Sequence, residues 1–386
     1  MELICTQENL SLALSYLDRI AGKQSSLPIL SNLLLETEKG RLKISATNLE
    51  IGVVVYVGAK IESDGKFTVP AKIFAHFVHN LPPGEVLNIK VVQQHLFIAS
   101  GGYTMKIKGL DGKDFPIIPQ YKNDYPFSLP AQDVKQALQR LLFCVSTNEA
   151  RIELTGVYVS FEEGALHLAA TDSFRLAEEI IPFTDQSSGY KQFLSENTSL
   201  IIPSATLQEL LRVITPETMN IKLALEENQL FFEVDNVQIV SRIISGKYPD
   251  YQQIIPKKFT LQAVIEKDLF LRSLKLASSL SSYTSGEIAL IFDPEQKQCT
   301  LVSQSKEIGE NTSIIPLEVQ TGTEPLTLVF NPRYVIEGIN ALDSDKLLFL
   351  SNTNTSPVAL REFNEEKKEE DGKYLYIMMP IRKEYA

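Results

Sequence analysis

Hydrophobic positions along this chain recur at helical spacing in six short windows and alternate, strand-like, between them. Leu10, Ala13, Leu14 and Leu17 stripe one face of a helix predicted over about Gln7 to Ala21. Ile73, Phe74, Phe77 and Val78 predict a second over Ala71 to Leu81, with Pro70 near its start. A third covers Ala131 to Val145 through Val134, Ala137, Leu138, Leu141 and Leu142, and a fourth Ser204 to Ile214 through Leu207, Leu210 and Leu211. The fifth runs from Glu266 to Leu280 and the sixth from Pro332 to Leu342. Segments such as Leu33 to Thr37, Arg41 to Ser45, Gln229 to Val234 and Leu347 to Leu350 read as strands. Antiparallel sheets with one helix-covered face follow, an α+β arrangement.

The pattern repeats. Helix starts fall about 60–73 residues apart, and similar closing segments recur about every 125 residues, the scale of a domain. Asp111-Gly112-Lys113-Asp114-Phe115-Pro116-Ile117-Ile118-Pro119 closes a first third, and Ser245-Gly246-Lys247-Tyr248-Pro249-Asp250-Tyr251, then Ile254-Ile255-Pro256, a second. Met378-Met379-Pro380-Ile381-Arg382 closes the last more loosely. The expected domains are 1–123, 124–257 and 258–386, each with two helices, joined by polar linkers at Gln120 to Tyr125 and Lys257 to Thr260.

Composition is that of an ordinary globular protein: 44% hydrophobic and 22% charged over 386 residues, too long for one core. A net charge of −11 argues against nucleic acid only as a sum, because screening over about 8 Å lets a basic face act apart from an acidic one. Cys5, Cys144 and Cys299 fall one per third, in no metal spacing, and read as buried free thiols of a reducing cytoplasm. The start has no basic region followed by an apolar core, and the longest apolar run, Ile51 to Val57, is strand-sized; neither a targeting segment nor a membrane span is expected. His76 and His79 are spaced i,i+3 with no third ligand nearby, and turn chemistry accounts for Asp111 and Asp114. The run Glu365 to Asp371 reads as a solvated loop. Phosphate loops, nucleophile elbows and paired cysteines are absent from the sequence, so no catalytic residue, metal site or cofactor is expected.

Ala169-Ala170-Thr171-Asp172-Ser173-Phe174-Arg175-Leu176-Ala177 resembles the A-T-D-x-x-R-L-A segment of bacterial DNA sliding clamps, the beta subunit of DNA polymerase III. Gly246 to Tyr251 resembles their G-(K/R)-(F/Y)-P-D-Y turn, Tyr376 to Arg382 their closing Y-x-x-M-P-(M/I)-R segment, and Leu27 to Asn32 also looks like the family. The resemblance implies a DNA clamp fold and a non-catalytic processivity factor. Two subunits would join head to tail into a ring that encircles duplex DNA. A separate ATP-driven clamp loader would load it, and it would tether the replicative DNA polymerase and other clamp-binding peptides.

It also implies a partner groove between the second and third domains. Its lining would be Leu154, Thr171, Ser173, Phe174, Arg175, Leu176, Pro249, Gln253 and Ile254, with Asn331, Tyr334, Pro357, Ile377, Met378, Met379, Pro380, Ile381 and Arg382. Pliable methionines and rim prolines suit such a groove, and Arg175 and Arg382 could hold peptide carbonyls or carboxylates. From spacing alone Leu176, Ile377 and Met378 read equally as core strand residues. Lys23, Asn148 and Arg151 lie on segments expected by analogy to approach DNA. On or beside the helices, Arg19, Lys72, Lys135, Arg140, Arg212, Arg272, Lys275 and Arg333 suit a sequence-independent basic lining. Met105 and Ile107 are expected to meet the helix near Leu280 across the dimer interface; Tyr283 is a weaker groove candidate. The chain departs from relatives at Ile152 and Glu153, where aromatics are typical, at Gln253, where Arg is common, and in its extended tail Lys383 to Ala386. A β-rich hydrolase using His76 or His79, and a ring that binds proteins but not DNA, are the competing classes.

Overall fold

Helices form at all six apolar stripes: α1 Gln7–Ala21, α2 Ala71–His79, α3 Ala131–Leu141, α4 Ser204–Val213, α5 Lys267–Ser281 and α6 Pro332–Asn340. The structure is a computed structural model of the 386-residue chain, and it describes all residues except 22–26, 163, 184–188, 190–198, 282–285, 306–307, 368 and 383–386. Local chemistry sets the helix ends. The Asn331 side chain caps α6 by accepting from the Arg333 N–H at 3.0 Å, and Pro332 follows in the first turn. Asn80 closes α2 through the His76 carbonyl at 2.7 Å. The third helix stops four residues short of its expected end: Leu142–Cys144 tighten into a 3₁₀ turn and Val145 is extended. The acidic run is not all loop, because the last strand, Glu369–Met378, begins within it.

The chain forms two compact units, the first chiefly from Met1–Lys135 and Ala205–Ile243, the second chiefly from Gln136–Phe183 and Ile244–Ala386. In the first unit a five-stranded antiparallel sheet runs in the order Lys60–Ser63, Glu2–Thr6, Val86–Val92, His95–Ser100, Tyr103–Lys108. A nine-stranded sheet runs Leu110–Asp111, Lys66–Pro70, Asn32–Glu38, Arg41–Thr47, Ile51–Gly58, Val237–Arg242, Gln229–Val234, Asn220–Glu226, Phe127–Pro130. Strands of the first and second repeats therefore pair directly, with Val55 opposite Val237 and Gly52 opposite Val240. The first linker covers this junction: Ile118, Tyr121 and Tyr125 pack on Ala224, Phe231 and Val240. A Cβ on Gly52 would lie 2.6 Å from Ile118 Cγ2, so the cover requires glycine there.

The second unit repeats the scheme. Its nine-stranded sheet runs Ser199–Pro203, Gly156–Glu162, Ala165–Thr171, Arg175–Pro182, Glu369–Met378, Val358–Asn364, Lys346–Ser351, Leu261–Glu266, Glu318–Thr321. A four-stranded sheet runs Gly309–Pro316, Gln298–Ser305, Ile288–Asp293, Leu326–Phe330. Here strands of the second and third repeats pair, with Leu176 opposite Ile377. The second closing segment covers the junction with Tyr248 and Tyr251, buried in one cluster with Leu154, Leu176, Leu348 and Ile377. The recurring closing segments are thus covers over sheet junctions. Among the described residues no helix is long and apolar enough to cross a membrane. All three cysteines are free and buried, and burial pushes the Cys5 thiol up to about 12, which makes it a poor nucleophile.

Candidate partner groove and DNA-facing helices

The Ala-Ala-Thr-Asp segment builds a self-locked turn. Asp172 Oδ1 accepts from the backbone N–H groups of Phe174 and Arg175 at 2.9 and 3.0 Å. Thr171 Oγ1 accepts from Ser173 N at 3.1 Å and donates to the Arg175 carbonyl at 2.6 Å. Ser173 takes φ +79°, and Phe174 is pushed outward, 61% exposed.

A cavity of about 540 Å³ adjoins the turn, bounded by Leu154, Ser173, Phe174, Arg175 and Tyr334, all expected groove residues. Asn148, Arg151 and Arg333, expected to face DNA, line it too. So do Phe143, Val145, Ser146 and Thr147, which the sequence reading missed. Their signal was the end of the apolar stripe at Leu142, where the helix gives way to the turn that forms the wall.

Arg175 is the lock beneath this surface rather than a hand for ligands. Its side chain is buried; Nε donates to Asp172 Oδ2 at 2.9 Å, Nη2 to the Phe143 carbonyl at 2.6 Å, and Nη1 to Glu337. The guanidinium lies 4.5 Å from the Tyr334 ring centroid. Burial opposes its charge, but Glu337 and Asp172 outweigh that and raise its pKa further. Burial likewise opposes ionisation of Glu337, yet its bonds to Arg175 and Arg333 hold its pKa below the usual carboxylate range.

Burial within and beneath the sheet explains the other departures from the expected lining. Leu176, Ile377 and Met378 point into the core, at most 1% exposed, as does Leu154, and Thr171 and Pro380 are buried. Half-buried Met379 donates its N–H to the Phe174 carbonyl at 2.9 Å, which places the two residues together, and Ile381 N bonds the Val329 carbonyl at 2.7 Å. Pro357, half-buried, precedes Val358, which pairs with Met378. Tyr248 stacks on Tyr158 at 5.0 Å, and the Tyr251 hydroxyl donates to Glu178 Oε1 at 2.6 Å. These contacts fix half-buried Pro249 and the turn Tyr251–Ile254, leaving Ile254 48% exposed. Gln253 donates to Asp250 Oδ2 at 2.8 Å, and Arg382 is exposed.

Among the cations expected to line a DNA channel, exposed Arg19 on α1, Lys72 on α2, and Arg272 and Lys275 on α5 have no acidic partner among the described residues. The rest are more committed. Lys135 donates to the Ile214 carbonyl at 3.1 Å, Arg212 to Glu209 at 2.8 Å and Arg333 to Glu337 at 2.9 Å. Arg151 bonds Glu153 at 3.1 Å and Ser173 Oγ at 3.2 Å, so Glu153 offsets its charge. Arg140 does not belong to the lining: its side chain is buried against Glu179 and Glu362, which no local pattern reveals. Lys23, Tyr283 and the tail Lys383 to Ala386 lie outside the described residues. Asp111 accepts from Lys113 N at 3.0 Å as a turn residue, and His79 Nδ1 hydrogen-bonds Ser11 Oγ at 2.8 Å. Among the described residues no cluster of three or more metal-ligating side chains occurs.

Met105 and Ile107 lie on Tyr103–Lys108, whose outer edge pairs with no strand among the described residues; Met105 is half-buried and Ile107 buried. Leu280, on α5, is half-buried. A second open edge, Gly309–Pro316, carries Ile314 at 61% exposure.

Three family models match the chain end to end. The DNA polymerase III beta subunit N-terminal domain matches residues 1–119, its central domain 128–250 and its C-terminal domain 252–382. A beta sliding clamp of Synechococcus elongatus is 28% identical over 386 residues, covering 99% of each chain. One from Halalkalibacterium halodurans is 25% identical, covering 95% of this chain and 96% of that one. A sliding clamp from Bartonella birtlesii, solved bound to griselimycin, superposes with a TM-score of 0.89 at 26% identity over 99% of both chains.

Proposed function

The chain belongs to the DNA polymerase III beta-subunit family, the bacterial sliding clamps, and from that premise we propose how its parts divide the work. It is a DNA polymerase processivity factor, a clamp that encircles duplex DNA without reading its sequence and tethers the polymerase. The end-to-end match of three clamp domains carries this conclusion. We divide the chain at 1–123, 124–257 and 258–386.

Two copies close head to tail. The open edge at Tyr103–Lys108, bearing Met105 and Ile107, meets the third domain of the partner subunit near Leu280 and its open edge strand, Gly309–Pro316. The ring works in the cytoplasm, is opened by a separate ATP-driven loader, and performs no chemistry itself. Topology supplies retention, so DNA contacts can stay weak; tight ionic grip would oppose sliding. Arg19, Lys72, Arg272 and Lys275 are the most available phosphate contacts, and Lys23, Lys135, Arg212 and Arg333 add to the lining. Asn148 and Arg151 act at the groove rim as well.

Partner peptides dock on Phe174, Met379 and Ile254, with Ser173, Tyr334, Pro249, Gln253, Asn331, Pro357, Ile381 and Arg382 around them. Leu154, Thr171, Leu176, Ile377, Met378 and Pro380 support this surface from below. Two large apolar side chains buried there supply roughly 3–6 kcal/mol. Hydrogen bonds supply the rest of the roughly 8 kcal/mol of a micromolar complex, which is weak enough for partners to exchange.

Loading onto nicked circular DNA by a cognate loader and ATP, followed by cutting the circle, tests the clamp. Retention that withstands moderate salt and vanishes on linearisation is expected. Retention that follows salt and ignores linearisation would mean ordinary electrostatic binding. With a loader proven on another clamp, no retention at all would overturn the reading.

A further inference from the structure

The first junction carries a cavity that the clamp function leaves unused. It measures about 410 Å³ and lies where the hairpin turns around Lys39 and Asp235 meet the linker at Gln120 to Lys122. Three carboxylates and three cations line it, but their situations differ. Each carboxylate is already bonded: Glu38 to Lys43 at 2.7 Å, Glu233 to Lys222 at 2.8 Å, and Asp235 to the Thr218 hydroxyl at 2.9 Å. Lys39, Arg41 and Lys122 are exposed and have no carboxylate partner among the described residues. Arg41 is nonetheless held in place, its guanidinium 4.5 Å from the centroid of the Tyr56 ring. Tyr56 is fixed in turn, its hydroxyl accepting from Gln120 at 3.3 Å and its carbonyl from Asn236 at 2.7 Å.

We propose that this cavity is a second docking site, taking a short acidic segment of a partner protein with its carboxylate between Arg41 and Lys122. A positioned guanidinium with open donors favours a carboxylate. The side-chain amides of Gln120, Asn236 and Gln238 offer further hydrogen bonds to a peptide main chain. The lining carboxylates disfavour nucleic acid, because a phosphate chain running past the cavity would meet Glu38, Glu233 and Asp235. A peptide can place one acid among neutral neighbours.

The test is surface plasmon resonance of the full-length protein over an immobilised biotinylated peptide, GSDQFSG, at low salt, with GSNQFSG as reference. Saturable binding to the acidic peptide alone is expected, weakened about tenfold by joint substitution Arg41→Ala and Lys122→Ala. Added salt weakens it too, whereas Lys297→Ala, at an exposed cation outside the cavity and outside the proposed DNA and partner surfaces, leaves it unchanged. Lys122→Glu, on the exposed linker, is a second variant whose failure to weaken binding would overturn the site. So would equal binding of the two peptides, no binding, or equal displacement by tripolyphosphate or an oligonucleotide, which would mark a general anion surface instead.

Discussion

At the first junction Tyr121 and Tyr125, with ring centroids 5.1 Å apart, cover Phe231 and Val240, and the surface beside them is polar, its carboxylates bonded and its cations without carboxylate partners among the described residues. At the second, Tyr248 and Tyr251 cover Leu154, Leu176 and Ile377, and the exposed side chains nearby include Phe174 and Ile254. Both are antiparallel strand pairs between repeats, roofed by an aromatic segment. The backbone solution is shared, so the two surfaces differ through a few side chains on turns. The Thr171 to Arg175 turn throws a phenylalanine outward, whereas the turn around Lys39 and Arg41 leaves cations.

The comparison breaks most sharply at Arg175. Arg175→Ala strands Asp172 and Glu337 without their partner and should cost about 3–5 kcal/mol in urea unfolding, with loss of peptide binding. A loss below about 1 kcal/mol would mean that the lock is not ionic. Next, Phe174→Ala with Met379→Ala should weaken a clamp-binding peptide about a hundredfold by fluorescence anisotropy, with little change in Tm because Phe174 is already exposed. A large fall in Tm would make these residues core rather than contact. At the first junction, Gly52→Ala forces Ile118 aside and should cost about 1–3 kcal/mol in the same unfolding assay, while groove affinity stays unchanged.

The smallest effect concerns pH. His167 is 4.0 Å from Glu178, which also holds Tyr251. The nearby Glu178 carboxylate, helped by the charge of Glu162, raises the His167 pKa against burial. Its stabilisation is therefore full below the unfolded pKa, about 6.5, and is lost as pH rises through the folded value. Burial opposes charge on Glu178, but His167 and Tyr251 prevail and lower its pKa, so its contribution is lost as pH falls through that lowered value. Thermal melts across pH should show both slopes, and His167→Gln should flatten the upper one.

The helices were legible because each buries one face, and that need writes a period into the sequence. The turn at Asp111 was legible too, as an acid accepting from the N–H group two residues on; the tighter turn at Asp172 was legible only as a motif. The roles of Arg140 and Arg175 were not. Arg140 finds its partners 39 and 222 residues away and Arg175 finds Glu337 162 away, so no window contains both ends. Which strand residues face inward depended on pairing register: Met378 opposes Arg175 across one strand pair and Val358 across the other, and is sealed between them.

The sheets that run across repeat boundaries bear on how the molecule comes apart. A cut between the first and second repeats would leave Ile51–Gly58 and Val237–Arg242 each with a bare row of amides and carbonyls, and a cut between the second and third would do the same to Arg175–Pro182 and Glu369–Met378. The middle repeat gives half its strands to each neighbour's sheet and keeps none for a sheet of its own. Hydrogen exchange on this chain should reveal two cooperative blocks rather than three, and excising the middle repeat should yield an aggregating fragment instead of a domain.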